Sequence, residues 1–120
     1  LYAQAFAAHE AGKLLSAVQM FQALTLLAPR VKDHWLGLAI SLRGLDQVDV
    51  AALALDTALA MAPDDPVVRF HRLDLACHRG DWAGARAELA AFDALPDGAR
   101  RPVLAAEVQR LRSLVLRRSG

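Results

Sequence analysis

AVQMFQALTLLAP (residues 17–29), AALALDTALAMAP (51–63) and ARAELAAFDALP (85–96) are three copies of one pattern. Each opens on an alanine, and Ala17, Ala51 and Ala85 stand 34 residues apart. The same register carries Gly12, Asp46 and Gly80 five residues earlier, Phe21, Leu55 and Leu89 four later, and Leu27, Met61 and Leu95 ten later. Pro29 and Pro63 close the first two units at that spacing, and Pro96 closes the third one residue early. A fixed period of this length, filled with helix formers and punctuated by turn residues, describes paired helices repeated in tandem. Such units cannot bury their apolar faces alone and stack on one another as a solenoid.

Working outward, hydrophobic residues make up 55% of the chain, with Ala and Leu dominant, and the composition favours helix over strand. The 120 residues are read as one domain, 1–120, long enough to bury a core. The single cysteine, Cys77, excludes an internal disulfide and suits a reducing compartment. The most apolar segment, residues 50–62, is interrupted by Asp56 and too short to span a bilayer, so no direct membrane insertion is expected. The chain opens at Leu1 inside an amphipathic helix with no signal-peptide pattern, and we expect an N-terminal segment of the full protein to precede it. The net charge of +1 hides an asymmetry: residues 1–99 carry 8 basic against 12 acidic residues, while residues 100–120 carry 6 Arg against one Glu. A basic tail can contact nucleic acid, but a solvated face on a capping helix explains it as well, and no nucleic-acid partner is expected.

The pattern predicts seven helices, near 1–11, 14–28, 33–44, 47–62, 66–79, 82–94 and 102–118. They form repeats at about 1–32, 33–65 and 66–98, followed by a capping helix at about 102–118. Asp46 and Asp81 stand where an N-cap carboxylate is needed, and Asp65-Pro66 supplies a cap followed by proline in the first turn. Gly12 and Gly80 supply the left-handed conformation that ends a first helix, and Pro102 begins the last helix after the turn Pro96-Asp97-Gly98. Each small alanine lets the paired helix approach, and Phe21, Leu55 or Leu89 fills the space beside it. Trp35, Leu38 and Trp82 add bulk. Gln4 and Arg72 take the place of Leu38, and Arg69 that of Trp35, so the third unit is a degenerate repeat. The closing helix gathers Val103, Leu104, Val108, Leu111, Leu114 and Val115 on one face, with Arg110, Arg117 and Arg118 elsewhere, as a cap requires.

A 34-residue helix-turn-helix period resembles the tetratricopeptide repeat. That resemblance implies an all-α fold: three tandem helix-turn-helix repeats plus a C-terminal capping helix, forming a right-handed α-solenoid with a concave groove. The first helix of each pair lines the groove, and positions i, i+4 and i+7 point into it. The candidate peptide-binding residues are Tyr2, Phe6 and His9, then Leu36, Ile40 and Arg43, then Phe70, Asp74 and Cys77, with Asp33 alongside. Asp33, Arg43 and Asp74 would orient or select the ligand. An exposed apolar groove of this kind marks a partner site, unless a preceding helix or a dimer mate covers it. Three buried apolar side chains at about 1.5–3 kcal/mol each, less on the order of 4 kcal/mol of ordering cost, place a short peptide in roughly the micromolar range. Repeats that clamp an acidic C-terminus use Lys and Asn here. Tyr2, Phe6, Leu36 and Ile40 offer a carboxylate no such donors.

The run Leu1-Tyr2-Ala3-Gln4-Ala5-Phe6, then Gly12-Lys13, Ala17, Phe21-Gln22-Ala23-Leu24 and Leu36-Gly37-Leu38, resembles the class II chaperones of bacterial type III secretion from Leu1 to about Leu95. The resemblance implies a chaperone of the bacterial cytoplasm. It would bind hydrophobic translocator proteins through an extended P-x-L-x-x-P type segment and keep them soluble and export-competent. Tyr2 and Phe6 match the family's aromatic pockets, while His9 stands where an aromatic is common and makes that pocket more polar. The family also implies a homodimer in the full-length protein. The alternative reading is a structural tetratricopeptide adaptor in a larger assembly.

Other chemistry was weighed on spacing. His71, Asp74, Cys77 and His78 share one helix, but a structural zinc site draws four ligands from two chain segments and no second cluster exists. Cys77 and His78 are adjacent and point about 100° apart, which suits no nucleophile pair. Glycine-rich phosphate loops and nucleophile turns are absent from the sequence. No enzyme activity, metal or cofactor is expected.

Overall fold

A computed structural model describes residues 1–96 and 102–119, and among these it contains helices and no strand. The chain divides into two compact units, Leu1–Ala62 and Pro63–Gly120. The first holds α1 (Tyr2–Glu10), α2 (Leu14–Leu27), α3 (Lys32–Gly44) and α4 (Val48–Met61). The second holds α5 (Pro66–Arg79), α6 (Trp82–Asp93), a 3-10 turn (Pro102–Leu104) and α7 (Ala105–Ser119). The Asp97-Gly98 turn, Arg100 and Arg101 lie outside the described residues.

Turn chemistry explains the helix ends. Gly12, Asp46 and Gly80, one per repeat, all have left-handed backbone, with φ of 78°, 61° and 72°. The next residue closes a bond back over the helix end each time: Lys13 N to Ala8 O (2.9 Å), Gln47 N to Leu42 O (2.9 Å) and Asp81 N to Ala76 O (3.0 Å). This is the Schellman arrangement, and it satisfies carbonyls that the helix leaves unpaired. The expectation for Asp46 is thereby corrected. It ends α3 instead of capping α4, because its register position is the left-handed one, which Asp tolerates better than most residues. Gln47 precedes α4 and makes no side-chain cap. Asp65 and Asp81 cap as expected: Asp65 Oδ1 accepts from Val67 N and Val68 N, and Asp81 Oδ1 accepts from Gly84 N (2.9 Å).

In the first unit Ala17, Ala51 and Ala58 are fully buried, so the helices meet at backbone range with Phe21 and Leu55 filling the space beside them. In the second unit Phe70, Leu73, Ala85, Leu89, Phe92 and Leu95 form a core on which Val108, Leu111 and Val115 of α7 dock. Leu104 packs against the same core, Leu114 is half-buried, and the Val103 side chain lies outside the described set. Arg112 pairs in a fork with Asp93 (2.7 and 2.8 Å), and Arg118 lies over the Trp82 ring at 5.7 Å. These basic side chains fasten the cap to α6.

The third repeat departs from the second in composition but keeps one of its contacts in register. Trp35 Nε1 donates to the Pro29 carbonyl (2.7 Å), and Arg69 Nε, 34 residues on, donates to the Pro63 carbonyl (2.9 Å). Leu38 and Ala54 are buried in the second repeat, and their register mates Arg72 and Glu88 form an ion pair at 2.9 Å. Arg72 Nε and Nη2 both reach Glu88 Oε1, while Oε2 is buried and accepts no hydrogen bond. Arg72→Leu should therefore cost about 1–3 kcal/mol, because it removes the cation from a half-buried carboxylate whose Oε2 already lacks a donor. Arg72→Leu with Glu88→Ala, which copies the second repeat, should recover most of that loss in urea denaturation.

Candidate functional site

α1 buries one small residue fully. Ala5 is its only buried side chain among the described residues, so the helix lies on α2 and leaves most of its surface open. Tyr2 and Phe6, four residues and one helical turn apart, are 41% and 51% exposed. The Tyr2 ring meets the edge of Phe21 at 6.1 Å and an interplanar angle of 76°. Its other neighbour is the His34 ring of α3, 5.8 Å away. His34 is itself buried, with Nδ1 donating to the Ala28 carbonyl (3.1 Å). Burial raises the Tyr2 phenol above its ordinary range, Asp33 adds to this, and Lys32 opposes it. The hydroxyl stays protonated at physiological pH.

The rest of the first-unit set lies on α1 and on α3, which touch. His9 Nδ1 and the fully buried Ser41 Oγ share a hydrogen bond of 3.3 Å, which pins the polar end of α1 to α3. Ile40 and Arg43 are half-buried. Asp33 is exposed and paired with Lys32 at 2.7 Å. Leu36 departs from expectation: at 8% exposure it belongs to the interior of the unit, because its side of α3 is covered.

In the second unit Phe70 is likewise a core residue, and Cys77 packs against the same core instead of standing open. Asp74 is half-buried. Burial pushes the Cys77 thiol up, Asp74 adds to the shift, and Arg110 opposes it. Among the described residues no three His, Cys, Asp or Glu side chains converge as a metal site, and no helix is long and apolar enough to cross a membrane.

Exposure alone does not single out α1. Leu15 and Leu26 on α2 and Leu53 on α4 are also open, at 62%, 84% and 66%. The α1 face differs in being aromatic and in resting on fixed rings beneath it. The spacing picks out Tyr2 and Phe6 but not Phe21 and His34, the rings that Tyr2 meets. The signal available was that residue 21 is Phe where its register mates are Leu55 and Leu89.

The sequence profile of the tetratricopeptide repeat family matches residues 2–66 and again 36–99. The chain belongs to that family. Among solved structures it is similar to the Yersinia enterocolitica type III secretion chaperone SycD in complex with a peptide of the translocator YopD. That match has 25% identity and a TM-score of 0.86, and covers 98% of this chain and 88% of that one. It is also similar to PcrH in complex with the chaperone-binding region of PopD (26% identity, TM-score 0.83, 98% and 87% covered). PcrH from Pseudomonas aeruginosa without a stated partner matches at 26% identity and TM-score 0.82, with 99% and 89% covered. No curated protein sequence matches the chain.

The raised thiol has a direct chemical consequence, since only the thiolate is alkylated. Iodoacetamide at about pH 8 should modify Cys77 several-fold more slowly than a free thiol, and the midpoint of its rate against pH should lie above the free value of roughly 8.5. Mass spectrometry of timed samples checks both.

Proposed function

We propose that this protein is a type III secretion chaperone that holds an extended apolar segment of a translocator protein, keeping its client soluble and export-competent in the bacterial cytoplasm. The observation that carries the reading is the pair of large aromatic rings, Tyr2 and Phe6, left open on one face of α1. The similar solved structures support it, since SycD is seen with a translocator peptide and PcrH with the chaperone-binding region of another. Open aromatic surface is costly in water, and an apolar peptide side chain laid over it recovers about 1.5–3 kcal/mol per anchor.

In this reading Tyr2 and Phe6 are the anchors, with Ile40 beside them as apolar wall. His9 and Arg43 would give the face a polar border, and Asp33 would meet the peptide backbone or a basic side chain. Leu36 would act as floor, beneath the residues that touch the ligand. In the second unit, Asp74 is the remaining polar candidate for client selection, with Phe70 and Cys77 supporting the helix that carries it.

The test is fluorescence anisotropy with a labelled peptide of the PopD chaperone-binding region. The wild-type chain should bind on the order of micromolar. Tyr2→Ala with Phe6→Ala should weaken binding by about 100-fold or more, the cost of losing two anchors. Circular dichroism should show helicity nearly unchanged and only a modest fall in melting temperature, because Phe6 is half exposed and Tyr2 gives up only its ring contacts with Phe21 and His34. Undiminished binding by the double variant would remove the α1 face from the site.

A further inference from the structure

We infer that Gly37, with Phe21, is a positioning residue that sets the place of the Tyr2 anchor; this rests on the function proposed above. Glycine in a helix interior is unfavourable, and Gly37 sits in the middle of α3 with no turn or positive φ to require it. Its reason is steric. A Cβ at residue 37 would stand 2.7 Å from Phe21 Cδ1 and would overlap Cε1 and Cζ. The Phe21 ring thus lies against bare α3 backbone, in space that any side chain at 37 would fill.

Phe21 has few ways to yield. It is 2% exposed, and Ala17 and Val18 beside it on α2 are buried as well. Its open neighbour is Tyr2, whose ring rests on it at 6.1 Å. Tyr2 also meets His34, which is buried and bonded to the Ala28 carbonyl. A ring pushed away from α3 therefore transmits its displacement to Tyr2, the partner that solvent allows to move. The absence of one methyl group on α3 sets the depth of an aromatic anchor on α1.

Tyr2 is the only tyrosine in the chain, so its ring can be read directly. In protein labelled with 13C-tyrosine, Gly37→Ala should move the single ring resonance. It should also weaken the labelled PopD peptide by about tenfold, the scale of one misplaced anchor. In a Tyr2→Ala background the same substitution should change affinity by less than about twofold, since the residue it acts through is gone. Phe21→Leu covers the case in which Gly37→Ala fails to fold, because leucine already serves at register positions 55 and 89. It removes the ring beneath Tyr2 and should give the same resonance shift and the same dependence on Tyr2. An unmoved resonance, or equal losses of affinity with and without Tyr2, would overturn the inference. A wild-type chain that ignores the peptide would instead overturn the functional reading, and the tyrosine resonance would still decide the positioning.

Discussion

The structure depends on the close approach of antiparallel helices at Ala17, Ala51 and Ala85, each of which is 0% exposed. Alanine contributes almost no side chain at these points, so the paired helix packs at backbone range. The large residue four positions on, Phe21, Leu55 or Leu89, is then enclosed on all sides. Dispersion and burial at that contact stabilise each pair, and the 34-residue spacing repeats the same contact three times. A bulkier residue at any of the three alanines would part the helices and open a gap beside its large neighbour. The faces that remain open are those the pairing does not consume, and on α1 Ala5 is the one residue fully buried among those described.

A repeat read by composition looks degenerate where a repeat read by contacts does not. Trp35 and Arg69 share no shape or charge, yet each donates one N–H to the carbonyl of the proline that closed the preceding unit. Arg72 and Glu88 replace a buried Leu38 and Ala54 with an ion pair at the same two positions. The exchange is incomplete, since one carboxylate oxygen has no donor. Apolar packing at those positions would serve stability as well or better, as is usual for half-buried ion pairs. In α7, arginines that a charge count would assign to a binding surface are engaged with Asp93 and the Trp82 ring. Charge that looks available in a sequence is consumed by the fold.

The candidate site shows the same division. Tyr2 and Phe6 are open on α1 as helical spacing suggests, whereas Leu36 and Phe70 carry the same spacing and are buried. Periodicity identifies which residues share a face of a helix. It does not identify which faces a neighbouring helix will cover. The setting of Tyr2 also comes from residues 19 and 32 positions away, Phe21 and His34, whose rings it meets. Gly37 reads in the sequence as a weak point in a helix, and only the ring lying against it gives it a purpose.

What the amino-acid order determined by itself is local and periodic. It set the helices and their pairing, the caps at Asp65 and Asp81, and the left-handed helix ends at Gly12 and Gly80, because neighbours within one or two turns decide backbone conformation. Even the misread Asp46 obeys the 34-residue register, which placed it with those two glycines. The tertiary structure alone decided which aromatic rings stay in water and which rings support them. It also decided which arginines find carboxylates. Those outcomes depend on contacts between helices, where side-chain volume and desolvation select among faces that the linear pattern leaves equivalent.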